Sequence, residues 1–262
     1  MSNGTIAQVA HPGLFAANPV IIRGTGTPVV YLHGPFGQEW SGFLDDISEV
    51  HEVYAPAHPG SVDMSDLEHL DSLWDLILYY DDLFRALGLE RFDLIGHSFG
   101  GMVAAEYAAS FPDRVKKLVL IDAMGLWNDN HPVADHLLAS SQARIAMRFH
   151  DAQSDVVLDH LKAPEDPAAA QEAHINQFMA LASTSHFIHP IPERGLHKRL
   201  RRISAPTLVV WGAEDRLTPP AYADEFAALI GGARVELIKG AGHVPQLERR
   251  EEATGLIGDF LA

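Results

Sequence analysis

A single serine lies between two glycines in the run LIGHSFGG, at residues 94–101. The run FDLI before it (92–95) is short and apolar, as in a buried strand, and MVAAEYAASFP after it (102–112) is Ala-rich and ends in proline, as in a helix. A serine at such a strand-to-helix turn is typical of a nucleophile elbow, whose strained backbone holds the hydroxyl above the sheet. The same short pattern also occurs in ordinary turns, so its meaning depends on the residues that accompany it.

Ser98 becomes a useful nucleophile only if a base removes its proton and an acid orients that base. Asp215 follows the apolar run PTLVVWG (206–212), and His243 follows VELIKGAG (235–242). Because parallel strands end at one edge of a sheet, we expect both side chains near Ser98. This spacing predicts Ser98 as nucleophile, His243 as general base and Asp215 as the orienting carboxylate.

Other residues compete for the role of the acid. Glu214 adjoins Asp215, and Asp122 follows another apolar run, so either carboxylate is an alternative. Asp215 is otherwise a turn or helix-cap residue ahead of two prolines. His243 is otherwise a buried structural histidine, although the Gly-Ala-Gly before it suits an exposed catalytic loop.

The elements that would position these residues alternate along the chain. Six strand-like segments lie at residues 28–34, 52–60, 92–98, 115–125, 206–215 and 233–243. Helical patterns separate most of them, with 72–89 and 219–232 the clearest. This alternation predicts an α/β protein with a mainly parallel central sheet flanked by helices.

The stretch from about residue 126 to residue 203 interrupts this alternation. It contains no convincing strand, and prolines divide helical stretches of which 155–161 and 168–182 are the clearest. We therefore expect a helical insertion over about residues 126–203.

Four motifs in order resemble those of the α/β-hydrolase superfamily. They are HGPFG (33–37), GHSFGG (96–101), WGAEDRLTPP (211–220) and GAGHVPQLERR (240–250), and they span nearly all of the core. The resemblance implies the α/β-hydrolase fold and a triad of Ser98, Asp215 and His243. It also implies a core domain of residues 1–123 and 204–262, with residues 124–203 inserted as a helical cap, or lid. The aspartate nucleophiles of dehalogenases and epoxide hydrolases are excluded by the serine at the elbow.

The oxyanion hole departs from the family pattern. Two N–H groups usually stabilise the oxyanion, one from the residue after the nucleophile, here Phe99, and one from the residue after His-Gly. That second residue is Pro35, which has no N–H. Either Phe36 or Gly37 donates instead, or this loop is arranged differently. Our hypothesis assigns Phe36, with the Phe36 and Phe99 rings forming walls of the acyl pocket. The alternative is that both rings are core aromatics.

The substrate-binding candidates come from the His-Gly loop, the cap and the His243 loop. They are His33, Gly34, Pro35, Trp127, Phe178 and Val244. The expected substrate is a small or medium carboxylic ester, or a lactone, cleaved through an acyl-enzyme. A carbon–carbon bond hydrolase is an alternative, for which Arg144 and Arg148 would clamp a carboxylate, although a surface helix face explains them equally well. A cofactor-free perhydrolase and a non-catalytic ligand receptor on the same fold also remain open.

Composition narrows the possible partners. The 262 residues contain 19 Lys and Arg against 35 Asp and Glu, a formal charge of −16, which disfavours nucleic acid and anionic membrane surfaces. There is no cysteine, and no histidine spacing is typical of a metal site. The first twenty residues lack the pattern of a signal peptide, and no apolar run is long enough to span a bilayer. We expect a cytoplasmic monomer or homodimer that acts on a small molecule without a metal or cofactor.

Overall fold

A computed structural model describes residues 5–262, and this part of the chain is built around an eight-stranded sheet. The strands are β1 (Thr5–Val9), β2 (Asn18–Arg23), β3 (Thr27–Leu32), β4 (His51–Ala55), β5 (Phe92–His97), β6 (Val115–Ile121), β7 (Thr207–Gly212) and β8 (Arg234–Ile238). They lie in the order β1-β2-β4-β3-β5-β6-β7-β8, and every pair from β4 to β8 along this order is parallel. The mainly parallel sheet expected from the sequence is confirmed.

The helices flank this sheet and fill the interval between β6 and β7. They are α1 (Gly42–Ser48), α2 (Leu73–Ala86), α3 (Phe99–Ser110), α4 (Ser141–Arg148), α5 (Asp155–His160), α6 (Pro167–Ile188), α7 (Ala221–Leu229), α8 (Pro245–Glu248) and α9 (Arg250–Leu261). Two short 3-10 turns, Leu196–Lys198 and Leu200–Arg202, lead back to β7. No helix within residues 5–262 is long and apolar enough to cross a membrane.

The sequence analysis did not predict two strands, β1 and β2, at one edge of the sheet. β1 pairs antiparallel with β2, and β2 pairs antiparallel with β4. Neither strand carries a clear alternation of apolar and polar residues. In β1 the side chains are mostly exposed, because the strand forms the edge of the sheet and packs little against the core.

The sheet divides the interior into two apolar layers, since successive residues of a strand point to opposite faces. Val30 and Leu32 of β3 lie in the layer formed with α2 and α3, while Val29 and Tyr31 lie in the layer formed with α1 and α9. The central strand β5 is buried along its whole length. The catalytic edge of the sheet therefore rests on a core that fixes where each strand ends.

The interval between β6 and β7, residues 122–206, contains α4, α5, α6 and the two 3-10 turns, and we call it the helical insert. Its two ends pack into the same apolar cluster as α2 and α3, through Met124 and Leu126 at one end and Phe187, Ile188 and Leu196 at the other. The helical insert is therefore anchored to the sheet by shared hydrophobic packing.

Candidate active site

Ser98 occupies a tight turn between the end of β5 and the start of α3. Its backbone has φ 56° and ψ −117°, a conformation that non-glycine residues rarely adopt. The Ser98 N–H donates to the carbonyl of Ile121 at 2.9 Å, and its carbonyl accepts from the N–H groups of Met102 and Met124 at 3.1 and 3.0 Å. These bonds hold a strained residue in place, which is the expected geometry of a nucleophile elbow.

The two glycines beside Ser98 are required by close backbone contacts. A Cβ at Gly100 would lie 2.1 Å from the carbonyl oxygen of Leu32, and one at Gly96 would lie 2.4 Å from the carbonyl oxygen of Gly100. Both distances are far shorter than any real Cβ contact, so a side chain at either position would force the strand and helix apart. The GHSFG pattern thus reflects crowding at the end of the sheet.

Three side chains form a continuous hydrogen-bonded series. Nε2 of His243 lies 2.7 Å from Oγ of Ser98, and Nδ1 of His243 lies 2.7 Å from Oδ2 of Asp215. Oδ1 of Asp215 accepts from the N–H groups of Leu217 and Thr218 at 2.8 and 3.0 Å. Because the carboxylate can only accept, Nδ1 carries the imidazole proton, and Nε2 is left to receive the proton of Ser98.

A cavity of about 790 Å³ lies between the sheet and the helical insert and reaches the neighbours of this series. Its walls near Ser98 include Gly34, Phe36, His97, Arg148 and Val244. A Cβ placed on Gly34 would lie 3.4 Å from that of Ser98. The side chains of Ser98 and His243 themselves have no exposed surface in this conformation.

Comparison with known proteins agrees with this architecture. A sequence model of the alpha/beta hydrolase fold matches residues 27–250. The chain belongs to the alpha/beta hydrolase family. It is 27% identical over 259 residues to 2-hydroxy-6-oxo-6-phenylhexa-2,4-dienoate hydrolase from Comamonas testosteroni, covering 91% of this chain and 88% of that protein. It is also 27% identical over 274 residues to monoacylglycerol lipase abhd6-B from Xenopus laevis, covering 91% and 76%.

Solved structures show the same fold. Naproxen esterase from Bacillus subtilis superimposes with a TM-score of 0.73 at 20% identity, covering 99% of this chain and 92% of that one. The relatives act on different compounds according to their names, so this similarity alone places the chain among the hydrolases without selecting its substrate.

Only some of the six substrate-binding residues expected from the sequence line the cavity. Gly34 and Val244 line it, whereas His33 is buried and neither His33 nor Pro35 contributes to the wall. The other two candidates belong elsewhere.

Trp127 hydrogen-bonds Asp129 through its indole N–H, away from the cavity. Phe178 is 69% exposed and borders a separate groove with Leu138. Neither Trp127 nor Phe178 lines the main cavity of this structure, and their assignment to the substrate site stays a prediction. The sequence shows an aromatic residue in an insert but not the direction in which its helix faces, and α6 turns Phe178 outward.

The two phenylalanines of the oxyanion hypothesis have different surroundings. The Phe99 ring is fully buried: it packs edge-on against His58 with ring centres 4.9 Å apart and stacks against Phe187 with ring centres 6.2 Å apart, so it is a core aromatic and not a wall of the pocket. The Phe36 ring does line the cavity. Among residues 5–262, the Phe36 N–H has no backbone acceptor, and it is therefore free to donate to a substrate.

The paired arginines of α4 separate in space. Arg144 lies beside the separate groove, whereas Arg148 faces the main cavity. The Arg148 guanidinium stacks on the Phe36 ring, with Cζ 3.8 Å from the ring centre, and no carboxylate within residues 5–262 forms an ion pair with it. Burial lowers the pKa of Arg148 to about 10, which leaves it cationic at neutral pH.

Glu248 was not identified from the sequence, although it organises the loop that carries His243. Its carboxylate accepts from the N–H of Gly242 at 2.7 Å, from that of His150 at 2.9 Å and from that of Asp151 at 3.2 Å. The first of these groups is on the His243 loop, and the other two are on the helical insert. Glu248 thus joins both segments, a role that depends on long-range contacts and leaves no local pattern.

A second unrecognised residue, His58, supports the His-Gly loop. Its Nε2–H donates to the carbonyl of His33 at 2.7 Å, and its Nδ1 accepts from the hydroxyl of Tyr80. Burial, followed by the nearby His33, holds the pKa of His58 well below its usual range. His58 therefore acts as a neutral structural link beneath the loop that supplies Gly34 and Phe36.

The alternative carboxylates are both near the triad but make different contacts. Glu214 accepts from the N–H groups of Gly240 and Ala241 at 2.8 and 3.2 Å, so it shapes the turn before His243. Asp122 is fully buried beside Asp215, and an oxygen of each and one nitrogen of His243 all lie within 4.8 Å of one another. This grouping could surround a cation only if His243 released Ser98 or Asp215, because both of its nitrogens are engaged.

Proposed function

We propose that the protein is a serine hydrolase that cleaves a small or medium carboxylic ester through an acyl-enzyme. The observation that carries this proposal is the hydrogen-bonded series Ser98, His243 and Asp215 at the elbow, with 2.7 Å at each step. A non-catalytic ligand receptor would need no such alignment, nor a strained backbone at Ser98.

In the first half of the reaction, Ser98 Oγ attacks the ester carbonyl carbon while its proton passes to Nε2 of His243. Asp215 stabilises the resulting imidazolium through Nδ1–H. The N–H of Phe99, at the start of α3, and that of Phe36 stabilise the oxyanion. The carbon–oxygen bond then breaks, and His243 returns the proton to the departing alkoxide.

Water completes the cycle. His243 takes a proton from the attacking water, the hydroxide adds to the acyl carbon, and the acid leaves as Ser98 recovers its proton. Since Ser98 and His243 have no exposed surface here, substrate entry requires side chains between the cavity and Ser98 to move.

A second candidate function is favoured by Arg148. A buried cation without a carboxylate partner, facing the cavity beside the triad, suits a substrate that carries its own carboxylate. The relative from Comamonas testosteroni is named as a hydrolase of a hexadienoate, which is such an acid. Hydrolysis of a carbon–carbon bond next to a ketone would use the same nucleophile and the same oxyanion donors.

The experiment that tests the ester hypothesis compares p-nitrophenyl esters from acetate to octanoate on the purified protein and on Ser98→Ala. Activity that is present in the parent and lost in the variant supports the serine hydrolase and reports its chain-length preference. Equal background rates in both would contradict it.

The two chemistries are separated by offering 2-hydroxy-6-oxo-6-phenylhexa-2,4-dienoate in parallel. Cleavage of the dienoate with a kcat/KM far above that of every ester would assign the carbon–carbon reaction. Saturable binding of ligands with no turnover of either substrate would instead assign the receptor.

A further inference from the structure

Asp122 is a buried acid that the acyl-transfer steps above do not use. It directly follows β6, has φ 44°, and has no exposed surface. Its Oδ1 accepts from the N–H of Gly212 at 3.0 Å. Its Oδ2 has no hydrogen-bond partner among residues 5–262, although it is buried, and such an atom requires an explanation.

The nearest charged group to Asp122 is the carboxylate of Asp215. An oxygen of each and one nitrogen of His243 lie within 4.8 Å of one another, and both acids are shielded from solvent. Two carboxylates in one dry site cannot both ionise, since repulsion and burial disfavour the second charge. One of the two therefore holds a proton.

The surrounding donors decide which one. Asp215 accepts three hydrogen bonds, from the N–H groups of Leu217 and Thr218 and from Nδ1 of His243. Asp122 accepts one, from Gly212. Because hydrogen bonds from N–H groups stabilise a carboxylate, the negative charge belongs on Asp215.

Most of the groups that face Asp122 also favour its neutral form. Burial is the main cause that raises the pKa of Asp122 well above its usual range, followed by the charge of Asp215, while the carboxylate of Glu248 on α8 adds a smaller effect and the N–H of Gly212 opposes it. His243 is also near, but its Nδ1–H already points at Asp215.

We propose that Asp122 is a neutral carboxylic acid that donates a hydrogen bond from Oδ2 to the Asp215 carboxylate and so positions that carboxylate for His243. The inference deepens the proposed serine hydrolase. The proton gives the unpartnered Oδ2 an acceptor and gives Asp215 a fourth donor. Asp122 touches neither substrate nor Ser98 Oγ, so it is a positioning residue that acts through Asp215.

The first test does not depend on turnover. Infrared difference spectra of the whole protein at neutral pH should contain the carbonyl band of a protonated, buried carboxylic acid, and Asp122→Asn should lack it. Asp93→Asn is the matched control, since Asp93 is a second buried acid whose pKa is raised, mainly by burial. Asp93 lies near the start of β5, at the opposite end of the strand from Ser98. A band that is absent from the parent, or lost only in Asp93→Asn, would overturn the proposal.

The second test measures how fast a fluorophosphonate labels Ser98, so it needs no knowledge of the natural substrate. Asp122→Gly suits the positive φ and removes the donor, and we expect labelling roughly tenfold slower or more, as for loss of a hydrogen bond to a charged group. Asn can accept from Gly212 through its oxygen and donate to Asp215 through its amide. Asp122→Asn should therefore recover most of the rate lost in Asp122→Gly.

The pH profile of labelling distinguishes a neutral donor from an ionised acid. If Asp122 is neutral, Asp122→Asn leaves the acidic limb of the profile at the parent's pH. If Asp122 is ionised, the same change removes a negative charge near the imidazole and shifts that limb to lower pH by about one unit or more. Equal labelling rates in Asp122→Gly and the parent would also reject a positioning role, while Ser98 labelling that persists with no ester turnover would contradict only the proposed substrate.

Discussion

The carbonyl of Arg148 accepts a hydrogen bond from the N–H of His243 at 2.7 Å. The helical insert therefore holds the backbone of the base, while the side chain of the same arginine faces the cavity. Gly242 permits this contact, because a Cβ there would lie 2.7 Å from the Arg148 carbonyl oxygen and 2.8 Å from the N–H nitrogen of His150. The proposed recognition of a substrate carboxylate and the alignment of the base thus meet at Arg148.

Arg148→Met should weaken the binding of substrates that carry a carboxylate. The variant keeps the stem but loses the cation, so we expect KM for a p-nitrophenyl ester of a dicarboxylic acid to rise about tenfold or more, while KM for a neutral ester changes little. Arg144→Met is the matched control, since Arg144 faces the other groove. Equal effects of Arg148→Met on both esters would show that the guanidinium does not contact the acyl group.

Glu248→Gln should loosen the His243 loop. A glutamine has one accepting oxygen and cannot receive all three N–H groups that Glu248 binds, so we expect a loss of about 1–3 kcal/mol in the free energy of unfolding together with a lower kcat. Urea unfolding and steady-state kinetics measure both effects. Glu252→Gln, on the exposed side of α9, should change neither, and a Glu248→Gln protein as stable and active as the parent would contradict the role.

Gly100→Ala should destabilise the elbow severely. The added methyl would meet the Leu32 carbonyl oxygen at 2.1 Å, and we expect a loss of about 3 kcal/mol or more, or failure to accumulate folded protein. Gly255→Ala is the contrasting change, because its Cβ would meet nothing within 4 Å in helix α9. There we expect a gain of about 0.5–1 kcal/mol from the helix preference of alanine, and thermal unfolding compares the two.

Phe36→Pro tests the second oxyanion donor. It removes the N–H and should lower kcat roughly a hundredfold to a thousandfold. Phe36→Leu keeps the N–H and the apolar wall, so its kcat should remain within about tenfold of the parent, a limit well below the effect of losing an oxyanion donor. If both variants lose activity equally, the ring is what matters; if both retain it, Gly37 is the donor.

Buried neutral histidines should make the protein sensitive to acid. Burial lowers the pKa of both His33 and His136 to about 4 from the usual 6.5. Between those values the unfolded chain binds the proton and the folded chain does not, so stability is full above pH 6.5 and falls as the pH drops towards 4. Each should contribute a loss of about 2 kcal/mol between pH 7 and pH 5.

Urea unfolding at a series of pH values measures this loss. The dependence should become shallower in His136→Gln, which has no titrating group. Surface His174→Gln is the control, since His174 is exposed, and an unchanged slope in His136→Gln would show that His136 is not buried as a neutral base.

The sequence predicted the parts of the site that rest on local structure. The elbow follows from glycines that no other residue can replace in a strand-to-helix turn, and the meeting of Ser98 with Asp215 and His243 follows from parallel strands ending at one edge. The antiparallel strands β1 and β2 were missed, because their pairing depends on the edge that β4 offers and not on a strong alternation of their own.

The amino-acid sequence by itself determined the hydrolase fold, the elbow and the identities of the residues that meet there. Only the tertiary structure decided that Arg148 faces the cavity while Arg144 and Phe178 turn away, that Glu248 joins two distant segments, and that Asp122 shares a dry site with Asp215. These outcomes depend on how helices of the insert are rotated and on which polar groups are buried together, and neither property is encoded in a pattern of neighbouring residues.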